Sequence, residues 1–160
     1  MNPTTGVEMD EDSYLEMETT QIKGVDSTVR TTRAKLGPRA TLIIKEKVMT
    51  HGRQLAKSDF TVDLDGDGCH TNVISRSVAR DQSKQVFLAR INGNARCHGH
   101  SECDAIIMDQ GVVAAIPEVT ANCVDASLVH EAAIGKIAGE QLIKLMTLGL
   151  TEKEAEEQIV

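Results

Sequence analysis

Between Asp26 and Val129 the chain alternates short apolar runs with polar or glycine-containing corners. The runs are Leu42-Ile43-Ile44, Val62 with Leu64, Val73-Ile74, Val86-Phe87-Leu88, Ile106-Ile107, Val112 to Ile116, and Leu128-Val129. They are strand-length and rich in β-branched residues, which pack well on a pleated surface. No stretch here sustains a 3.6-residue period over three turns, so the region predicts strands. The stronger runs start at Leu42, Val62, Val86, Ile106 and Leu128, at nearly even intervals. A repeat in the twenties is the mark of a solenoid, where no coil buries its own apolar face and neighbours share one core. Evenly spaced short strands also describe an antiparallel sandwich, and spacing alone leaves the two architectures level.

The pattern changes at Gly139. Leu142, Ile143, Leu145, Met146 and Leu148 fall at helical spacing, and Gly149 follows as a C′ residue. Thr151-Glu152-Lys153-Glu154 then reads as a capping box that opens a second short helix, about Glu152 to Ile159. The expected organisation has three parts. Residues 1–24 are an acidic N-terminal segment, frayed or the start of a strand. Residues 25–138 are the strand-built core, and residues 139–160 are helices suited to docking a partner.

Composition narrows this picture. Of 160 residues, 41% are hydrophobic and only 2% aromatic, so the core must be made of small aliphatics. The net charge of -7 argues against a nucleic-acid binder, which needs a basic face for phosphates. Most of that charge is local to Glu8, Asp10, Glu11, Asp12, Glu16 and Glu18. The acidic N-terminus has no apolar run of the signal-peptide kind, and no stretch reaches the roughly 20 apolar residues of a membrane helix. A soluble, cytoplasmic chain is the expectation. Its four cysteines are then expected as thiols or ligands rather than disulfides.

The candidate chemistry gathers between Ala95 and Ile137. Cys97-His98-Gly99-His100-Ser101-Glu102-Cys103-Asp104 is the densest group of soft ligands, and His130-Glu131 closes the stretch. Thiolate and imidazole suit zinc, or iron in clusters, but the paired C-x2-C knuckles of structural zinc sites do not occur. Cys69 and Cys123 lie in strand-like contexts, where cysteine behaves as a small hydrophobe. His51 and His70 are expected at the surface or at corners. Asp63-x-Asp65-x-Asp67-Gly68 starts like a calcium loop, yet its twelfth position is Ile74 where a bidentate Glu is required. It is expected instead as a polar corner in which Gly66 and Gly68 supply unusual backbone angles. Phosphate-binding loops of the Walker type and Gly-x-Ser-x-Gly elbows are both missing, so the chain is not expected to hydrolyse nucleotides itself.

Four blocks carry a resemblance: Ser101-Glu102-Cys103-Asp104-Ala105-Ile106, Ile116-Pro117-Glu118, His130-Glu131-Ala132-x-Ile134-Gly135-Lys136-Ile137, and Leu148-Gly149-Leu150-Thr151-Glu152-Lys153-Glu154-Ala155. In order and spacing they resemble the C-terminal half of the SufB/SufD family, over roughly residues 25–160. That resemblance implies a right-handed parallel β-helix followed by C-terminal helices, and it favours the solenoid over the sandwich. It implies a scaffold for iron–sulfur cluster assembly, carrying a transient Fe–S cluster. The implied partners are a SufC-like ATPase, docked by the C-terminal helices, and a SufB/SufD-type subunit or a second copy at the β-helix edge. Neither nucleic acid nor membrane is expected as a partner. By position, Cys103 and Glu131 match residues implicated in the SufB branch and His130 one implicated in SufD. Cys97 is a further candidate metal ligand, outside the family's pattern. A flavin as electron donor is compatible with the resemblance, which assigns no residue to it. Two other readings stay open: a static metal-binding or structural β-solenoid, and an accessory subunit of an ABC-type transporter.

Overall fold

The computed structural model of the chain describes residues 1–22, 25–136, 139–151, 154 and 155. Ten strands form two all-parallel sheets. Sheet A runs β1 (Thr4–Met9), β3 (Ser27–Leu36), β5 (Leu55–Leu64), β7 (Lys84–Gly93) and β9 (Val112–Ala121). Sheet B runs β2 (Tyr14–Gln21), β4 (Thr41–Thr50), β6 (His70–Ala79), β8 (His98–Ile107) and β10 (Ser127–Lys136). Each coil contributes one strand to each sheet, which makes a parallel β-helix of five coils. Every apolar run read from the sequence lies in a strand.

The true repeat is longer than the spacing of the runs. Thr41, His70, His98 and Ser127 are successive register partners in sheet B, one per coil. Each coil holds two apolar runs, one per sheet, so the shorter intervals between runs mixed strands of different sheets.

The sequence expectation for residues 1–24 is an acidic segment, frayed or the start of a strand. The structure has β1 and β2 there as the first coil, with β1 paired to β3 and β2 to β4. The acidic side chains there are met by cations of the second coil. Arg39 binds Asp12, with Nε–Oδ1 at 2.7 Å, and also Glu11, while Lys45 binds Glu16. Cross-coil pairing therefore offsets the charge that suggested a frayed end.

Alternation along the strands defines the interior. Next to the corner where sheet A passes into sheet B it is apolar, with Leu36, Leu42, Ile44, Val62, Leu64, Val73 and Ile91 all buried. The other half is polar: Ser58, Gln85, Glu46, Ser75, Ser77 and Thr50 are buried with Cys103. The corners repeat as well. Asp12, Arg39 and Gly68 hold positive φ at one corner, and Gly52, Asp81 and Asp109 at the other, one from each successive coil. Side-chain amides and carboxylates join successive corners. Asn94 bonds Asp65 and Asn122 bonds Asn94, both at 2.7 Å, across sequence separations of 29 and 28.

The helix α1 (Gly139–Thr147) follows the last coil. It stops at Gly149, φ 93°, as its C′ position requires. Thr151 and Glu154 form the expected capping box: the Thr151 amide donates to Glu154 Oε2 at 2.8 Å, and the Glu154 amide to Thr151 Oγ1 at 3.3 Å. The rest of the second helix expected over Glu152 to Ile159 lies outside the described residues, apart from Glu154 and Ala155. No helix among the described residues is long and apolar enough to cross a membrane.

Candidate functional site

β8 and β10 are neighbours in sheet B, and the candidate residues lie on them. Their register pairs Ser101 with His130, Glu102 with Glu131, and Cys103 with Ala132. Adjacent residues of a strand face opposite ways. Ser101 and Cys103 therefore point into the solenoid, as does His130, while Glu102 and Glu131 point out.

Cys103 is 1% exposed. It belongs to an interior column of register partners, Glu46, Ser75, Cys103 and Ala132 on β4, β6, β8 and β10. Arg30 donates to Glu46 at 3.1 Å, Ser58 to the same carboxylate oxygen at 2.5 Å, and Ser75 to the other oxygen at 3.1 Å. Burial raises the Glu46 carboxyl above the usual range, against the pull of Ser58, Arg30 and Ser75. A small cavity lined by Glu46, Ser58, Ser75, Gln85 and Cys103 leaves space for about one water molecule. Burial, with the nearby charges of Asp104 and Glu46, pushes the Cys103 thiol up to about 11. At neutral pH it is a protonated thiol, and it could ligate a metal ion only if that ion displaced the proton to water or another base.

His130 sits on the edge strand of sheet B, half-buried. Its Nδ1 lies 2.6 Å from the buried Ser101 hydroxyl. Burial holds the ring below the usual histidine range, so it is neutral at physiological pH and keeps a lone pair for a ligand. Cys103 and His130 thus share the inner face of neighbouring strands, two positions apart along the register. Glu131, expected beside them, is across the sheet on the outer face. The sequence-predicted trio converges on one strand pair but not on one point.

Cys97 stands apart. It precedes β8, six residues from Cys103, so the extended strand separates them by roughly 20 Å. That distance rules out a disulfide and a shared ion. The four described cysteines are all free. Cys97 instead stacks on Cys69 of the preceding coil, at equivalent corner positions, and Cys123 is close on the following side. Cys69 is buried as expected, with its thiol pushed up to about 11 by burial, and Cys123 is half-buried.

Sequence reasoning missed the outer face. There His100, Glu102 and Glu131 bring one ligand atom each within 4.8 Å of one another. His100 Nε2 lies 3.1 Å from Glu131 Oε2, and His100 Nδ1 lies 3.0 Å from Asn72 Oδ1 on β6. The signal was present in the sequence, since His100 and Glu102 are two apart in a predicted strand. Recognising it required the register that brings Glu131 alongside.

The last coil is the least covered. Ile116 and Val119 on β9, and Val129 and Ile134 on β10, are exposed. Both strands are sheet edges with unpaired backbone groups on one side. α1 also exposes Ile143 and Met146.

Comparison with known proteins adds the following. The family model described as "SUF system FeS cluster assembly, SufBD core domain" matches residues 2–160. An iron-sulfur cluster assembly SufBD family protein of Methanocaldococcus jannaschii is 33% identical over 162 residues, covering 100% of this chain and 51% of the relative. One from Methanothermobacter thermautotrophicus is 36% identical over 101 residues, covering 62% and 25%. One from Archaeoglobus fulgidus is 34% identical over 123 residues, covering 76% and 33%. The chain thus spans about half the length, or less, of the curated relatives it matches.

Proposed function

This chain belongs to the SufBD family of the SUF iron–sulfur cluster system, and on that premise we propose that it is a non-enzymatic scaffold on which a cluster is assembled and then released. The observation that supports this most is the pairing of a buried thiol, Cys103, with a neutral imidazole, His130, on one inner face at the open end of the solenoid. Thiolate and imidazole both ligate iron in clusters. Cys103 is the main ligand for iron and His130 supports it. Glu131 lies on the far side of the same edge strand and serves the site only where a partner wraps that edge.

The cluster is cargo here, and an incomplete ligand set suits cargo that must leave. A second subunit, either a sister chain or another copy of this one, covers the β9–β10 edge and completes the set. The unpaired edges and the exposed Ile116, Val119, Val129 and Ile134 support that arrangement. A SufC-like ATPase docks on the C-terminal helices, where Ile143 and Met146 are exposed. The complex works in the cytoplasm.

The test is delivery. The protein is reconstituted with iron and sulfide under anaerobic conditions, alone and with its ATPase, and mixed with an apo iron–sulfur acceptor. A scaffold passes its cluster on and activates the acceptor. A chain that holds its metal through repeated exchange, or takes up none, is not a scaffold.

A further inference from the structure

Asn72, His100, Glu102 and Glu131 lie on the outer face of sheet B, on β6, β8 and β10. This is the side opposite Cys103 and His130. The hydrogen-bonding of His100 does not close. Asn72 Oδ1 is a carbonyl oxygen and only accepts, so the 3.0 Å contact fixes the hydrogen on His100 Nδ1. With that hydrogen on Nδ1, Nε2 faces an acceptor, Glu131 Oε2, at 3.1 Å. A second proton on the ring relieves this, and so does a cation held between the two atoms. A carbonyl oxygen that orients an imidazole through its far nitrogen is the usual support behind a metal-binding histidine.

The geometry around the ring suits a cation: His100, Glu102 and Glu131 bring one ligand atom each within 4.8 Å of one another, with Asp104 beside Glu102 and Arg76 nearby. Glu131 adds a further carboxylate, in register with Glu102. The backbone of a continuous parallel ladder holds the donors, so little ordering remains to be done on binding.

We propose that His100, Glu102 and Glu131 form a mononuclear site for a divalent first-row transition-metal ion, oriented by Asn72 and separate from the thiol site inside the solenoid. One imidazole and two carboxylates suit iron(II), cobalt(II), manganese(II) or zinc(II), and the absence of a thiolate sets the site apart from Cys103. The inference does not depend on the scaffold reading and holds if that reading fails.

Cobalt(II) is the probe, because thiolate ligation adds a charge-transfer band that nitrogen and oxygen ligation lacks. The full chain is titrated anaerobically and followed by absorption. The expected result is one ion per chain that adds d–d bands only, told apart from any cobalt at Cys103 by the missing charge-transfer band. His100→Ala and Glu102→Gln each weaken binding by roughly tenfold or more, whereas Cys69→Ser leaves it unchanged. The first two substitutions are on the solvent side of a strand, and circular dichroism checks that the fold persists. No uptake of an ion with d–d bands only, or wild-type affinity for it in His100→Ala, overturns the proposal.

Discussion

Gly66 shows what a single corner position demands. The sequence expectation is an unusual backbone angle at Gly66 and Gly68, and Gly68 has one, with φ 75°. Gly66 is required for space instead: a Cβ there would lie 2.1 Å from Pro38 N and 2.2 Å from Gly37 C, on the coil beneath. Because backbone cannot yield as a flexible side chain does, Gly66→Ala is expected to cost at least the ~1–3 kcal/mol of overpacking, read from urea unfolding. Gly99→Ala, whose Cβ would meet Ile91 Cγ2 and Leu128 Cδ2 at 2.8 Å, is expected to cost less, since side chains can shift. The thiols offer a second residue-scale prediction. In the native chain, alkylation followed by mass spectrometry should label half-buried Cys123 well before Cys69 or Cys103, whose burial and raised thiols protect them. Rapid labelling of Cys103 would mean that the last coil does not cover it.

At the scale of elements, strand alternation decides which candidates meet. His130 and Glu131 are neighbours in sequence and read there as a pair. Once β10 is a strand they must face opposite sides, so the separation is already implied by the strand prediction. The partner of each residue was not legible, because parallel register joins positions a whole coil apart and no local signal encodes it. The misjudged repeat has the same origin: a two-sheet coil carries two apolar runs, and runs alone do not say which sheet they join. β4 carries a further prediction. Burial raises the Glu46 carboxyl in the folded state, so the folded chain prefers the protonated form. Its contribution to stability is complete below the unfolded value near 4.5 and is lost as pH rises through the elevated folded value. Glu46→Gln removes this component. Unfolding free energies compared across pH 4–8 should therefore fall less steeply for the variant than for the wild type. Parallel curves would show that Arg30, Ser58 and Ser75 fully compensate the buried charge.

For the whole molecule, stability passes from coil to coil. Each coil contacts its neighbours, so the middle coils are held from both sides and the last from one. Burial along the strands agrees: β4 to β8 bury alternate residues, whereas most of β9 and β10 is exposed. Amide hydrogen exchange is expected to be faster in Val112–Ala121 and Ser127–Lys136 than in Thr41–Leu64. Equal protection throughout would contradict this stepwise picture. The strands were legible in the sequence through strand-length runs, and the helix after them through the Gly149 stop and the Thr151–Glu154 box, whereas the choice of β-helix over sandwich came from the family resemblance. The first coil was hidden because its carboxylates are matched only by Arg39 and Lys45 one coil later. The account rests finally on Cys103 as the ligand that captures the cluster. Iron and acid-labile sulfide, measured after anaerobic reconstitution of wild type, Cys103→Ala and Cys69→Ala, test it most directly, since Cys69 is equally buried and controls for damage to the fold. Cluster uptake should be lost in Cys103→Ala and kept in Cys69→Ala; normal uptake in Cys103→Ala would contradict the assignment.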